Sequence, residues 1–102
     1  MSFIKAADFD HLDEESALRV VLAGKAIALV KVGGAVYAVD DTCTHEKESL
    51  SGGFIDEDTI ECPRHGAMFD LKTGRALSLP ATRDLNTYEV KVENGEILVS
   101  IE

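Results

Sequence analysis

Cys43-Thr44-His45 and Cys62-Pro63-Arg64-His65-Gly66 hold both cysteines of the 102-residue chain and two of its three histidines. Each segment supplies one thiolate and one imidazole and is short enough to form a single loop tip, with residues 46–61 lying between the two. Soft sulfur paired with imidazole nitrogen, given twice, is a metal-site pattern. Two such loops side by side present four ligands, and that pairing constrains the rest of the chain to bring residue 43 close to residue 62.

Working outward, Thr59-Ile60-Glu61 reads as a short strand entering Cys62, and Ala67-Met68-Phe69-Asp70 as one leaving His65, followed by a turn at Leu71-Lys72-Thr73-Gly74. Strands on either side hold ligand geometry better than a free loop does. Upstream, Phe3-Ile4-Lys5-Ala6 is a predicted edge strand, and Asp8 to Ser16 an acidic turn or single helical turn around Leu12. Ala17–Leu22, Lys25–Val32 and Ala35–Val39 are predicted consecutive strands, the last two joined at Gly33-Gly34, where a tight hairpin turn demands positive φ at both central residues. At the other end, Tyr88, Val90 and Val92 alternate with polar neighbours, as do Ile97, Val99 and Ile101, with Asn94-Gly95 between the runs as a hairpin signal. The pattern predicts an all-β single domain over 1–102: an antiparallel β base from about 1–41 and 81–102, and a metal-binding insert at about 42–80.

Composition narrows the function. The formal charge is −9, which excludes the basic footprint of a nucleic-acid binder. Apolar runs such as Ala26–Val30 stop far short of the roughly 20 residues needed to cross a bilayer. Met1-Ser2-Phe3-Ile4-Lys5 shows no basic start, apolar segment or cleavage site, so the cytoplasm is the expected compartment. Thiols stay reduced there, which favours metal ligation over a disulfide. Acids gather at Asp8–Glu15, Asp40–Glu48 and Asp56–Glu61. They read either as solubilising charge or as a field that steers partners with basic faces.

Ligand types alone leave two metals open. A 2Fe-2S cluster takes two protein ligands per iron, and two imidazoles can replace two thiolates on one of the irons. Two Cys and two His also satisfy tetrahedral zinc. Zinc knuckles usually begin with two cysteines two to four residues apart, whereas each half here pairs Cys with His, so spacing favours iron. A Cys/His nucleophile would explain one segment and leave its near-duplicate without a use.

With these residues stands a resemblance. Cys43-Thr44-His45, Cys62-Pro63-Arg64-His65-Gly66 and the intervening length resemble the Rieske signature. Val36-Tyr37-Ala38-Val39, Leu50-Ser51-Gly52-Gly53, Phe69-Asp70-Leu71-Lys72-Thr73-Gly74 and the terminal hairpin extend the likeness to small bacterial Rieske ferredoxins. The resemblance implies the Rieske fold, three antiparallel sheets with a small cluster-binding subdomain at the tip. It implies a Rieske 2Fe-2S cluster held by Cys43 and Cys62 on one iron and by His45 and His65 on the other, with the imidazoles as electron portal. High-potential relatives carry an extra cysteine in each loop, matched here by Glu48 and Arg64, and hydroxyl donors matched by Ala67 and Phe69. Donors to sulfur favour the reduced form, so their absence implies a low potential.

The implied role is a one-electron carrier, not itself an enzyme, for an aromatic-ring-hydroxylating dioxygenase system. It would pass electrons from an NAD(P)H-dependent flavin reductase to a terminal Rieske oxygenase. A nitrite reductase small subunit and a zinc-stabilised interaction module are the alternatives. Leu50 and Pro80 are candidates to cover the cluster, Lys47 and Arg64 to meet a partner, and His11 is expected to be a surface residue.

Overall fold

A computed structural model describes residues 3–42, 49–63, 66–77 and 84–101. Its strands are β1 (Phe3–Asp8), β2 (Ser16–Leu22), β3 (Lys25–Val32), β4 (Ala35–Asp40), β5 (Phe54–Asp56), β6 (Thr59–Glu61), β7 (Met68–Asp70), β8 (Thr87–Tyr88), β9 (Val90–Glu93) and β10 (Glu96–Ser100). Short 3₁₀ turns stand at Phe9–His11 and Leu50–Gly52. Among the described residues the strand pairings are antiparallel and make three sheets, in the orders β1-β10-β9, β2-β3-β4-β8 and β5-β6-β7.

The four-stranded sheet is the middle layer, and β3 shows why. Ile27 and Leu29 join a core with Leu12, Ala38, Ile97 and Val99, while Ala28 and Val30 join a second core with Val39, Leu50, Ile60 and Phe69. All four β3 residues are fully buried. Alternate side chains of a strand point to opposite faces, so a strand covered on both faces reads as an unbroken apolar run. Ala26–Val30 is that run. The first core joins the middle sheet to the sheet made by the two chain ends, and the second joins it to the small β5–β7 sheet.

Turn chemistry sets the registers. Gly33 and Gly34 have φ of 60° and 80°, as the β3–β4 hairpin requires, and the Glu14 carboxylate accepts both of their amides, that of Gly34 at 3.1 Å. Asn94 and Gly95 do the same between β9 and β10 with φ of 54° and 75°. Leu12 is buried beside the first 3₁₀ turn, as expected, and His11 is exposed, its Nδ1 3.5 Å from Asp8.

Two features differ from the sequence expectation. The alternation from Tyr88 to Val92 is divided between sheets: Tyr88 pairs with Ala38 in the middle sheet, whereas Val90 pairs with Val99 in the terminal one. The chain changes sheet at Glu89, whose carbonyl accepts the Ser100 amide at 3.0 Å, and Val92 is left exposed. Periodicity reports only a strand's two faces; which strand lies alongside is a non-local matter. The second feature is β5, unheralded because its hairpin with β6 turns at Glu57 and Asp58, with Glu57 at φ 54° where glycine or asparagine is usual. No helix among the described residues is long and apolar enough to cross a membrane.

Candidate metal centre

Loop one leaves the middle sheet at the end of β4 and returns into the second 3₁₀ turn. Residues 43–48 lie outside the described residues, but both feet of the loop are described. Thr42 and Ser49 form an isolated antiparallel bridge across the base. Beneath it sits Asp41, 2% exposed, whose carboxylate accepts the Ser49 hydroxyl at 2.5 Å and the Ser51 amide at 2.9 Å and pairs with the Arg19 Nε at 3.2 Å. Its backbone takes part as well: the Asp41 amide donates to the Ala26 carbonyl at 3.1 Å, and its carbonyl accepts the Leu50 amide at 2.6 Å. A buried carboxylate is costly unless it is paired and hydrogen-bonded, and here the partners come from β2 and from the returning side of the loop.

Loop two is tighter. Cys62 follows β6 directly and is fully buried; its amide donates to the Ala67 carbonyl at 2.7 Å, and the Gly66 amide donates to the Cys62 carbonyl at 3.2 Å. Gly66 sits at φ 74°, which lets the chain reverse within this span. Arg64 and His65 lie outside the described residues. Cys62 packs in the second core with Leu50, Ala67 and Phe69, each fully buried.

A backbone contact brings the two loops together. A Cβ on Gly53, just after loop one, would lie 2.0 Å from the carbonyl oxygen of Glu61, just before loop two, and 3.1 Å from that of Leu50. Only glycine allows this approach. A second such contact lies behind the small sheet, where a Cβ on Gly74, at φ 77°, would meet the Leu85 carbonyl at 2.2 Å. Each close approach ties together two chain segments beside the second core.

The surroundings of Cys62 fit an iron–sulfur ligand. Cys62 is a soft donor presented from a closed turn, in an apolar environment, with loop one anchored against the same core. Cys43, His45 and His65 fall outside the described residues, and among the described residues no group of three His, Cys, Asp or Glu side chains assembles. Leu50, a candidate cluster cover, is wholly in the core. Ala67 and Phe69 are also core residues and bring no hydroxyl to the neighbourhood of Cys62.

Sequence reading missed the role of Asp41, counted with the acidic surface, and that of its partner Arg19. The signal was faint: an Asp-Asp pair beside a ligand loop, and one charge in an apolar strand. Asp40 is also structural. Its carboxylate accepts the Tyr88 hydroxyl at 2.6 Å and the Asn86 amide at 3.1 Å. Burial, reinforced by that bond to a carboxylate, pushes the Tyr88 phenol up to about 12.

The sequence profile of the Rieske [2Fe-2S] domain matches residues 2–89. This chain belongs to the Rieske family. The Rieske protein is 43% identical over 101 residues to the ferredoxin component of the naphthalene 1,2-dioxygenase/salicylate 5-hydroxylase systems of a Ralstonia species, covering 99% of this chain and 97% of the relative. Among solved structures, the ferredoxin of carbazole 1,9a-dioxygenase from Nocardioides aromaticivorans IC177 superposes with a TM-score of 0.95 at 30% identity over the full length of both chains. A ferredoxin in complex with its oxygenase, also of carbazole 1,9a-dioxygenase, gives 0.91 at 39% identity, covering 96% of this chain and 92% of that one. A nitrite reductase small subunit shares the fold at 23% identity and a TM-score of 0.86. The family's cofactor is the Rieske 2Fe-2S cluster, which settles the choice that the ligand types left open between iron–sulfur and zinc.

Proposed function

We propose that this Rieske protein is the cytoplasmic electron carrier of an aromatic-ring-hydroxylating dioxygenase system, taking electrons from an NAD(P)H-dependent flavin reductase and passing them singly to a terminal Rieske oxygenase. The observation that carries this reading is the end-to-end match with dioxygenase ferredoxin components, at 99% of this chain and 97% of the Ralstonia relative. The nitrite reductase reading has only a shared fold behind it. Cys43, Cys62, His45 and His65 are the proposed ligands, thiolates on one iron and imidazoles on the other. When bound, the cluster supplies reversible one-electron chemistry.

The chain's own residues then set the terms. Asp41 and the Cys62–Ala67 turn hold the loops; Ala67 and Phe69 withhold hydroxyl donors and keep that side of Cys62 dry. With fewer donors to sulfur the added electron is less stabilised, which places the midpoint toward the lower end of the Rieske range. The domain plan that goes with this reading is a base of about 1–41 and 81–102 carrying an insert of about 42–80.

Purified protein, titrated with reductant under anaerobic conditions, tests the reading. A red-brown chromophore that bleaches with a midpoint below about 0 mV, is reduced by a flavin reductase with NADH and drives an oxygenase is the expected result. A midpoint above about 100 mV would overturn the donor argument. Failure to support any oxygenase would overturn the carrier role.

A further inference from the structure

The outer face of the small sheet carries two rows defined by its ladder. Phe54, Glu61 and Met68 stand directly opposite one another. Leu77 extends this row, its amide donating to the Met68 carbonyl at 2.8 Å beside the Phe69–Ala76 bridge. The other row, Asp56, Thr59 and Asp70, is polar and lies at the hairpin end. Between them, Ile55, Ile60 and Phe69 point the opposite way, into the core. The largely apolar row is therefore the one adjoining the Cys62–Ala67 pair that closes loop two.

Its two ends are open to solvent. Phe54 is 64% exposed and Leu77 48%, among the most exposed large hydrophobics of the described residues. The fold does not need them there, because their neighbours Ile55 and Ala76 supply the core contacts of the same segments. Apolar side chains displayed in a row with a polar margin mark a contact surface. The margin is acidic: Glu61 stands within the row, and Asp56, Glu57 and Asp58 are exposed at the hairpin tip, with Lys72 3.4 Å from Asp58. The complementary surface is an apolar patch fringed by Lys and Arg, and the chain's charge of −9 would draw such a partner in.

We propose that the Phe54–Leu77 row is a docking face for the terminal oxygenase, apolar contact being made at Phe54 and Leu77 and basic side chains meeting Glu61 and the Asp56–Asp58 tip. This rests on the carrier reading. A related ferredoxin at 39% identity forms a complex with its oxygenase, and that is the ground for naming the oxygenase as occupant, with the reductase as the alternative that the test separates. Docking here puts the partner one ladder position from the loop that carries Cys62.

The test uses the cluster-loaded protein and the variants Phe54→Asp and Leu77→Asp, with Phe54→Ser and Leu77→Ser as milder replacements should either aspartate variant lose the cluster. Visible spectrum and midpoint are expected to match the wild type. In steady-state turnover of a purified oxygenase with saturating reductase, the KM for ferredoxin is expected to rise about tenfold at unchanged kcat, a hot-spot-sized loss, while reduction of the ferredoxin by reductase is unaltered. Glu57→Lys should raise KM at low salt and not at high salt. Unchanged KM in the apolar variants, or a defect confined to the reductase step, overturns the proposal. A wild type that serves no oxygenase overturns the carrier reading too, whereas a working wild type matched by its variants overturns the docking face alone.

Discussion

The middle and the small sheets solve the same problem with unequal means. β2 and β3 pair continuously from Ser16–Lys31 to Leu22–Lys25, and β3 is buried on both faces. β5, β6 and β7 have three residues each. Short ladders of this kind are marginal unless something else packs against them. The middle sheet holds itself by burial and regular pairing; the small one depends on the Gly53 and Gly74 contacts and on Asp41, and on the proposed ligation it would also depend on the metal. The least self-sufficient part of the molecule is thus the part proposed to carry the cluster, and metal binding there would contribute to its folding.

Removing the cluster is the strongest way to break this contrast. Chelation or Cys62→Ala should abolish the visible absorption and expose the amides of residues 54–70 to hydrogen exchange, while those of β2 and β3 stay protected. Uniform loss of protection would mean that the sheets are one cooperative unit. Next in size, Leu29→Ala should cost about 2–5 kcal/mol in denaturant unfolding and act on the base whether or not the cluster is present. Gly53→Ala should cost about 1–3 kcal/mol, because the Glu61 carbonyl must retreat, and should speed loss of cluster absorbance in a way that Leu29→Ala does not. Equal rates of loss would remove the special role given to that contact.

A subtler distinction comes from Tyr88, which ties β8 to the middle sheet. Its phenol is raised in the folded protein to about 12 from an ordinary 10.0, so its contribution is complete below pH 10 and lost as pH rises toward 12. Tyr88→Phe should lower stability at neutral pH by about 1 kcal/mol and flatten the pH dependence between 10 and 12. A variant with the same alkaline slope as the wild type would place that slope elsewhere.

Much of this was legible in the order of residues. The Gly33-Gly34 and Asn94-Gly95 turns specify their hairpins locally, since few residues other than glycine and asparagine take positive φ at low cost. The two Cys/His segments marked a metal site, and their spacing favoured iron over zinc; the cluster itself came through the resemblance that those segments carry. The β5–β6 hairpin escaped because its turn uses Glu57, whose identity carries no turn signal. Tyr88 was assigned to the wrong neighbour because its alternation is equally good in either sheet. Asp41 looked like surface charge, and only burial beneath loop one shows that it closes the loop's base.

The sequence by itself determined the strands of the base and two of their turns, because those depend on local backbone preference, and it carried the paired Cys/His motif through which the chain resembles the Rieske family and its cluster. The tertiary structure alone decided which strands share a sheet, why Gly53 must be glycine, and which acids are structural and which face solvent. Those depend on what lies across a few ångströms of space from residues far apart in the chain, and a linear order of side chains does not contain that distance.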